Sequence, residues 1–526
     1  MLRTQCIPHP ELPGTSALFS DYLYQFSKLS AFYRYDPNDP ESVRSAAASA
    51  TIPDERRARV VRALRRINGP SASLDALGEP GTVAVVTGQQ VSLFGGPAYT
   101  LYKALTAVKL ARQLTDHGIR AVPVFWLATE DHDLAEADHC WAFGPDQQPH
   151  RLNARVRGLA GQPVGPMVLD GVPLDELRAT LAGLPFADEV TERAAAAYRP
   201  GRSMGEAFRL LLADLLSNYG LVFFDPLDLE LREAASPLLV RALEETPALS
   251  HAVIERGKQL KAAGYHTQVL FEEQSSLLMR FEAGRRISLR RHDGAYYHDT
   301  RRYETAELAA DPSSLSPNAL LRSVMQDYLL PTAAYVGGPA EIAYFAQSEA
   351  IYAGLQATMP VIVPRSGFTL LDERGYSQMT RYGLGLKDCL QPEDALRERI
   401  AARLIPAPLD QLFITTGASI DESAERLRAA LEAFDPTLGL AMTKSAAKIR
   451  YQLEKNRHKV AREALRREDQ VERGVAHLSG LLYPERHLQE RLYSFLPFLA
   501  KYGLDLIETL YEHTYRDCPD HLLMTL

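Results

Sequence analysis

The sequence predicts an α/β chain on a doubly wound parallel sheet, followed by a long helical domain. Three observations carry this. Residues 83 to 133 read as strand, glycine turn, helix, strand. The turn recurs, since Phe94-Gly95-Gly96-Pro97-Ala98 returns as Val336-Gly337-Gly338-Pro339-Ala340. From about residue 376 the short apolar runs stop and a three/four apolar spacing takes over.

Val83 to Val86 is an apolar run ending in Thr87-Gly88. After Gly95-Gly96, Pro97 suits a first helical position because its φ is fixed and it has no N–H to leave unpaired. Leu101, Leu105, Val108, Ala111 and Leu114 then recur at helical spacing. Val122 to Ala128 is too short for a helix and runs into Glu130-Asp131-His132-Asp133. Two strands joined through a helix imply parallel pairing. Both turns then lie beyond the carboxyl ends of the strands, where open parallel sheets bind ligands.

With 526 residues, the chain should form two or three domains. Its 46% hydrophobic and 24% charged content is ordinary for a globular protein. A net charge of −8 gives no general attraction to nucleic acid or anionic membrane. The start, MLRTQCIPHPELPG, does not read as a signal peptide, and no run approaches the roughly 20 apolar residues of a membrane span. A cytoplasmic location is expected. Cys6, Cys140, Cys389 and Cys518 lie far apart in sequence, with no C-x-x-C pair and no zinc-like spacing, and read as four buried or incidental thiols.

Residues 17 to 34 carry aromatics at helical spacing and predict an amphipathic helix, and residues 54 to 66 a basic helix with a solvated face. Residues 144 to 200 lose the strand pattern and read as an insertion rich in Gly, Pro and Ala. Met204 to Tyr219 predicts a helix, and residues 221 to 226 a buried strand. Residues 268 to 298 alternate in short runs, which predicts a small antiparallel hairpin insertion. The parallel pattern returns at 333 and ends in MPVIVPRSGFTLLD.

In the helical part, Ile420 to Phe434 is one run, ended at Asp435-Pro436. A second seam joins Ala446, Ile449, Leu453, Val460, Ala464, Val471, Val475, Leu478 and Leu482, with Asn456 and Arg467 as interruptions. A narrow seam in a charged helix argues for an antiparallel coiled coil that pairs subunits. Glu454, Glu463, Glu468, Asp469 and Glu472 among the basic residues make a salt-bridged, solvated face the preferred reading over an RNA contact. The last stretch, LDLIETLYEHTYRDC, is expected to fold back as a helix. The chain thus divides into core (1–143), connecting insertion (144–200), core continuation (201–267), hairpin insertion (268–320), second half of the core (321–375), helical coiled-coil domain (376–495) and a C-terminal helix packed on the core (496–526).

TGQQVSLFGGPAYTLYKALTAVKLA, VPVFWLATEDHDLAEAD, YVGGPAEIAYFAQ and MPVIVPRSGFTLLD resemble the BshC family, the cysteine-adding enzymes of bacillithiol biosynthesis. The likeness covers the whole order of segments, including the late coiled coil. It implies a Rossmann-like core akin to class I aminoacyl-tRNA synthetases, with two connecting insertions, a coiled-coil domain and a homodimer. It also implies an amide bond between L-cysteine and glucosaminyl-malate as the reaction. The chain lacks the His-x-Gly-His signature of the related ligases. Met442-Thr443-Lys444-Ser445 echoes their lysine-bearing signature only faintly, at the start of the long helix.

A carboxylate acylates an amine at neutral pH only once its oxygen becomes a leaving group, so ATP with Mg²⁺ is the expected activator; no zinc site is evident. Glu130, Asp131 and Asp133 are candidates for holding an ammonium group or Mg²⁺, and His132 for general base. Thr87, Gly88, Gln89, Gln90, Gly95, Gly96, Tyr99 and Lys103 on the first turn, with Gly337, Gly338, Glu341, Arg365 and Ser366 on the second, are candidates for binding substrate or nucleotide. Plain structural readings stand beside these: Lys103 in a salt bridge, Asp131 or Asp133 capping the next helix. Two other classes remain open. One is an aminoacyl-transferring enzyme acting on RNA, against which the acidic balance counts. The other is a non-catalytic assembly protein using the coiled coil, against which the polar cluster on one rim counts.

Overall fold

A computed structural model of the chain describes residues 2–467, 469–515 and 518–526, Asp469 through its backbone only. Five parallel strands form its centre: β1 (Val83–Gln90), β2 (Ala121–Ala128), β3 (Val222–Phe224), β4 (Thr332–Gly337) and β5 (Val361–Pro364), in the order β5-β4-β1-β2-β3. The chain enters at β1, moves outward through β2 and β3, then crosses back to place β4 on the other side of β1. That reversal opens a crevice between β1 and β4 at their carboxyl ends.

The strands read as continuous apolar runs because both faces are covered. Helix α1 (Tyr99–Asp116) packs Leu101, Leu105 and Val108 in one core with Phe125 and Leu127. On the other face α2 (Leu229–Glu244), α3 (Ala319–Leu329) and α4 (Pro339–Gly354) bury Leu238, Val324 and Phe345 with Ala84, Val86, Val124 and Trp126. The period of two along β2 thus aims Phe125 at one core and Trp126 at the other.

Several expectations need correction. The aromatic run at 17–34 is helical only over Ala17–Tyr24; the chain then folds back, bringing the rings of Tyr22 and Tyr33 to 4.6 Å. The face of the basic helix Asp54–Asn68 is largely paired rather than merely solvated, since Arg62 and Arg66 reach Glu230 of α2 at 2.5 Å. Residues 144–200 do contain strands, His150–Asn153 and Arg155–Arg157 with Val168–Gly171. Three or four residues with charged side chains are too few to show alternation. The hairpin insertion is a five-stranded sheet in which Ser275–Glu282 and Arg285–His292 pair antiparallel and Leu315–Pro317 closes one edge.

In the helical domain α5 (Ala407–Phe434) and α6 (Pro436–Arg466) form a hairpin, turned at Asp435, whose carboxylate accepts from Thr437 N at 2.7 Å. Arg457–Asp410 at 2.8 Å and Arg450–Asp421 at 3.4 Å tie the two helices. Asn456 lies within α6 with its side chain exposed, so the break falls in the apolar seam and not in the helix. The anticipated seam splits at the end of α6. Val471, Val475, Leu478 and Leu482 belong to a separate helix (Asp469–Leu482) buried in the main core, whereas Ile449 on the hairpin is 45% exposed. Glu468 lies outside the described residues, as do Arg516 and Asp517.

The chain's end is not helix alone. Helix Asp505–His513 is followed by strand His521–Thr525, which lies between Arg3–Ile7 (antiparallel) and Gly367–Leu371 (parallel). This small sheet joins the two termini and corrects the reading of four thiols. Cys6 and Cys518 form a disulfide with Cα atoms 5.5 Å apart, while Cys140 and Cys389 are buried free thiols. No helix among the described residues is long and apolar enough to cross a membrane.

Candidate active site

The crevice between β1 and β4 holds a cavity of about 380 Å³, within the range of small-molecule sites. Lys103, one turn into α1, turns back toward the end of β1. Its Nζ donates to Gly88 O (2.9 Å), Gln89 Oε1 (3.0 Å) and Glu341 Oε2 (2.5 Å), which uses all three ammonium protons. Glu341 also accepts from Gly338 N (2.8 Å) and Tyr335 OH (2.6 Å). Burial alone would raise Glu341, but Lys103 and these two donors hold its carboxyl below the ordinary range. An ion pair therefore crosses the point where the strand order reverses, binding α1 to α4.

Arg322, from α3, lies behind this pair. Its Nη2 donates to Tyr344 OH at 2.6 Å and, more weakly, to Tyr335 OH at 3.5 Å. The guanidinium carbon sits 5.9 Å from the ring centroid of Trp126, which itself stacks on Phe224 at 4.5 Å. Gly88 makes that arrangement possible, since a Cβ there would stand 2.9 Å from Trp126 O. Arg286 reaches in from the hairpin insertion, held by Ser316 Oγ (2.9 Å) and Pro317 O (2.6 Å). Arg365 and Arg491 close the outer side, and Arg365 also borders a neighbouring cavity of about 500 Å³ with Gly337, Arg486 and His487.

Of the residues anticipated from sequence, Gly88, Gln89, Gln90, Tyr99, Lys103, Glu130, Asp131, Gly338, Glu341 and Arg365 do line the cavity. Others do not. Thr87 is buried in the sheet with its Oγ1 on Val336 O at 2.9 Å, and Ser366 is buried with its N–H on Thr106 Oγ1 at 3.1 Å. The first Gly-Gly-Pro turn is closed by protein. Gly95 N donates to Tyr198 OH (3.1 Å), Gly96 N to Leu93 O (3.0 Å) and Ala98 N to Tyr493 O (2.7 Å). Gly95 is required because a Cβ would meet the Phe495 ring at 2.4 Å and its φ is +81°. Gly95 lets the C-terminal domain approach, and Gly96 turns the chain at φ +70° against Ser92 and Thr100.

The acidic loop also divides. Glu130 is buried against Arg232, Nη1–Oε1 3.0 Å. Asp131 faces the cavity and accepts from Gln90 Nε2 at 2.7 Å. Asp133 caps the short helix Leu134–Ala137 through Ala135 N at 3.1 Å. His132 is exposed and outside the lining, because the turn aims it at solvent. Among the described residues no group of three or more His, Cys, Asp or Glu side chains is placed to hold a metal.

Sequence reasoning missed Trp126, Arg286, Arg322, Tyr335, Tyr344 and Arg491. Trp126 sits in a strand that reads as core, and Arg286 within an alternating hairpin where basic residues read as solvated. Arg322 carried one usable signal: a lone cation on the otherwise apolar start of the helix entering β4.

Residues 2–366 match the family model "Bacillithiol biosynthesis BshC, N-terminal Rossmann-like domain", and residues 368–526 match "Bacillithiol biosynthesis BshC, C-terminal coiled-coil domain". The chain belongs to the BshC family. Two relatives named "Putative cysteine ligase BshC" cover nearly everything: one from Solibacter usitatus, 49% identical over 99% of both chains, and one from Koribacter versatilis, 38% identical over 98% of both. A third of the same name, from Salinibacter ruber, is 32% identical over 98% of this chain and 97% of its own. The chain is thus a member of a ligase family. The two BshC domains meet at Gly367, beside Arg365, which pairs with Glu490 of the second domain.

Proposed function

We propose that this BshC chain joins the carboxyl group of L-cysteine to the amine of glucosaminyl-malate, with ATP as the activator, in the cavity between β1 and β4. One observation carries the reading. The lining holds five cationic side chains, Lys103, Arg286, Arg322, Arg365 and Arg491, against three carboxylates, Glu130, Asp131 and Glu341. Two positive charges are left over in a chain whose net charge is −8, so the crevice suits anionic ligands.

Bound ATP would supply the group that makes one cysteine carboxylate oxygen able to leave. The neighbouring basic cavity, with Arg486, His487 and Arg491, suits its phosphates. Asp131 is the cavity's acceptor for the proton that the attacking amine must lose as the C–N bond forms, and Gln90 fixes its orientation. The Lys103–Glu341 pair keeps the two halves of the crevice at a fixed separation. Glu130 and Glu341 are already engaged by protein donors, and the described residues offer no carboxylate cluster for Mg²⁺.

The reading includes a cytoplasmic homodimer joined through the hairpin, supported by Leu412 (60% exposed), Leu440 (68%) and Phe434 (85%) standing on its surface. Light scattering that shows a monomer would refute that part. The catalytic reading is tested by calorimetric titration of L-cysteine, glucosaminyl-malate and ATP into the parent and Lys103→Met. The parent should bind all three and the variant should bind them weakly; a parent that binds none excludes the reading.

A further inference from the structure

The disulfide between Cys6 and Cys518 lies outside the crevice, yet it is tied to the crevice wall. Cys6 is exposed on the edge strand Arg3–Ile7, whereas Cys518 is 7% exposed. Shortly after Cys518, His521 opens the strand His521–Thr525, which pairs with Gly367–Leu371 just beyond Arg365. The packing there has no slack. A Cβ on Gly367 would stand 2.6 Å from His521 Nδ1 and 3.3 Å from Glu490 Oε2. His521 Nε2 lies 2.7 Å from Thr369 Oγ1, and Glu490 holds Arg365. The disulfide thus clamps the terminal strands over the segment that follows the cavity's Arg365.

We infer that Cys6–Cys518 is a thiol-exchange site, which a low-molecular-weight thiol opens at Cys6, loosening the strand behind the Arg365–Glu490 pair. The inference takes only the cytoplasmic location from the reading above. A disulfide in a reducing compartment is usually one that cycles, and exposed bonds are the labile ones. The unequal exposure of the two cysteines sets the order of steps. A small thiolate attacks Cys6 Sγ, the S–S bond breaks, and Cys518 leaves as a thiolate that takes a proton from water. Cys6 is then a mixed disulfide. A second thiolate attacks the small-molecule sulfur of that mixed disulfide and releases Cys6. Two small thiols are thereby oxidised to their disulfide, and the protein gains two electrons and two protons. Cys518 Sγ is 3.7 Å from His521 O, which gives the new thiol an acceptor. Cys140 and Cys389 are buried, and burial pushes both thiols up, so neither supplies a competing thiolate.

The terminal sheet survives the opening. Its pairing runs from Arg3 with Thr525 to Ile7 with His521, Arg3 meets Glu373 at 2.7 Å, and Tyr24 OH donates to Asp520. What is lost is the covalent limit on how far the strands part. The reduced form therefore opens locally more often without unfolding.

The test uses the full-length protein with reduced and oxidised glutathione as the probe thiol and its disulfide. It makes no use of the ligation reaction, so failure of the proposed ligase reading leaves both readouts intact. Intact-mass measurement should show the bond formed in oxidised glutathione and opened in reduced glutathione without denaturant, with glutathione trapped on Cys6 between the two states. Hydrogen exchange in residues 3–7, 367–371 and 521–525 should quicken about tenfold or more in the reduced protein, while β1 and β2 exchange as before. Cys6→Ser should show the faster exchange in either buffer. If that variant fails to fold, the two buffers on the parent decide alone. A bond that resists reduced glutathione until the chain unfolds overturns the inference, as does a parent found reduced in both buffers. Opening that leaves exchange in 367–371 and 521–525 unchanged overturns it equally, since the bond would then not reach the wall.

Discussion

Arg365 and Glu490 form a bidentate pair, Nη1–Oε2 2.9 Å and Nη2–Oε1 2.5 Å, with side chains 7% and 4% exposed. Glu490 also accepts from Phe368 N at 3.2 Å. Burial alone would raise its carboxyl, but Arg365 and the Phe368 N–H hold it below the ordinary range. This contact welds the helical domain to the end of β5 at the wall of the cavity. Glu490→Gln leaves a buried guanidinium uncompensated and should cost about 3 to 5 kcal/mol. The apolar double variant Arg365→Met/Glu490→Leu should recover most of that loss. Urea midpoints for the three proteins check both statements; a Glu490→Gln protein as stable as the parent would show the pair to be idle.

The two Gly-Gly-Pro turns should respond oppositely to a methyl group. Gly95→Ala collides with Phe495 at a left-handed φ and should lose on the order of 2 kcal/mol or more. Gly338 has φ −86°, and its Cβ would stand 3.5 Å from Glu341 Oε2 and 3.6 Å from Arg365 Nε, ordinary contacts. Gly338→Ala should keep the melting temperature and alter ligand affinity alone. Equal melting shifts in the two variants would contradict this division.

Within the acidic loop, only Asp131 should matter to chemistry. Asp131→Asn should lower kcat about a hundredfold or more with little change in melting temperature. His132→Ala should leave both unchanged, and Asp133→Ala should cost about 1 kcal/mol as a lost helix cap. Steady-state kinetics and thermal melts decide; a His132→Ala enzyme without activity would restore the histidine as base.

His521 gives a pH signature. It is 1% exposed beside Thr369 Oγ1 at 2.7 Å, and burial, helped by His9 and Arg365 and opposed by Glu490, pushes its imidazole down to about 4. Between that value and the unfolded value near 6.5, the unfolded chain holds a proton the folded chain lacks. Stability therefore rises with pH through this window and falls on acidification, by up to about 3 kcal/mol. His521→Gln should flatten that part of the curve. Parallel urea midpoints for parent and variant from pH 7 to 4.5 would rule it out.

The central α/β unit was legible because both faces of β1 and β2 are covered, so local apolar runs and one proline-led turn define it. The echo at Gly337 correctly marked the second helix at the crevice. What remained hidden was set by distant chain. Gly95 carries a glycine signal whose cause is Phe495 in the other domain, and no local pattern distinguishes a ligand from a ring. The same holds for Cys6 and Cys518, whose separation in sequence says nothing once the termini share a sheet. Arg286 and Arg322 come from an insertion and a connecting helix, and only folding shows that they converge on one cavity.

The most direct measurement mixes the purified protein with L-cysteine, glucosaminyl-malate and ATP and quantifies the cysteinyl amide together with the nucleotide products. The account expects amide and consumed ATP in equal amounts, with both lost in Asp131→Asn. No amide from a parent protein that binds all three ligands, or amide formed at the same rate without ATP, would contradict it.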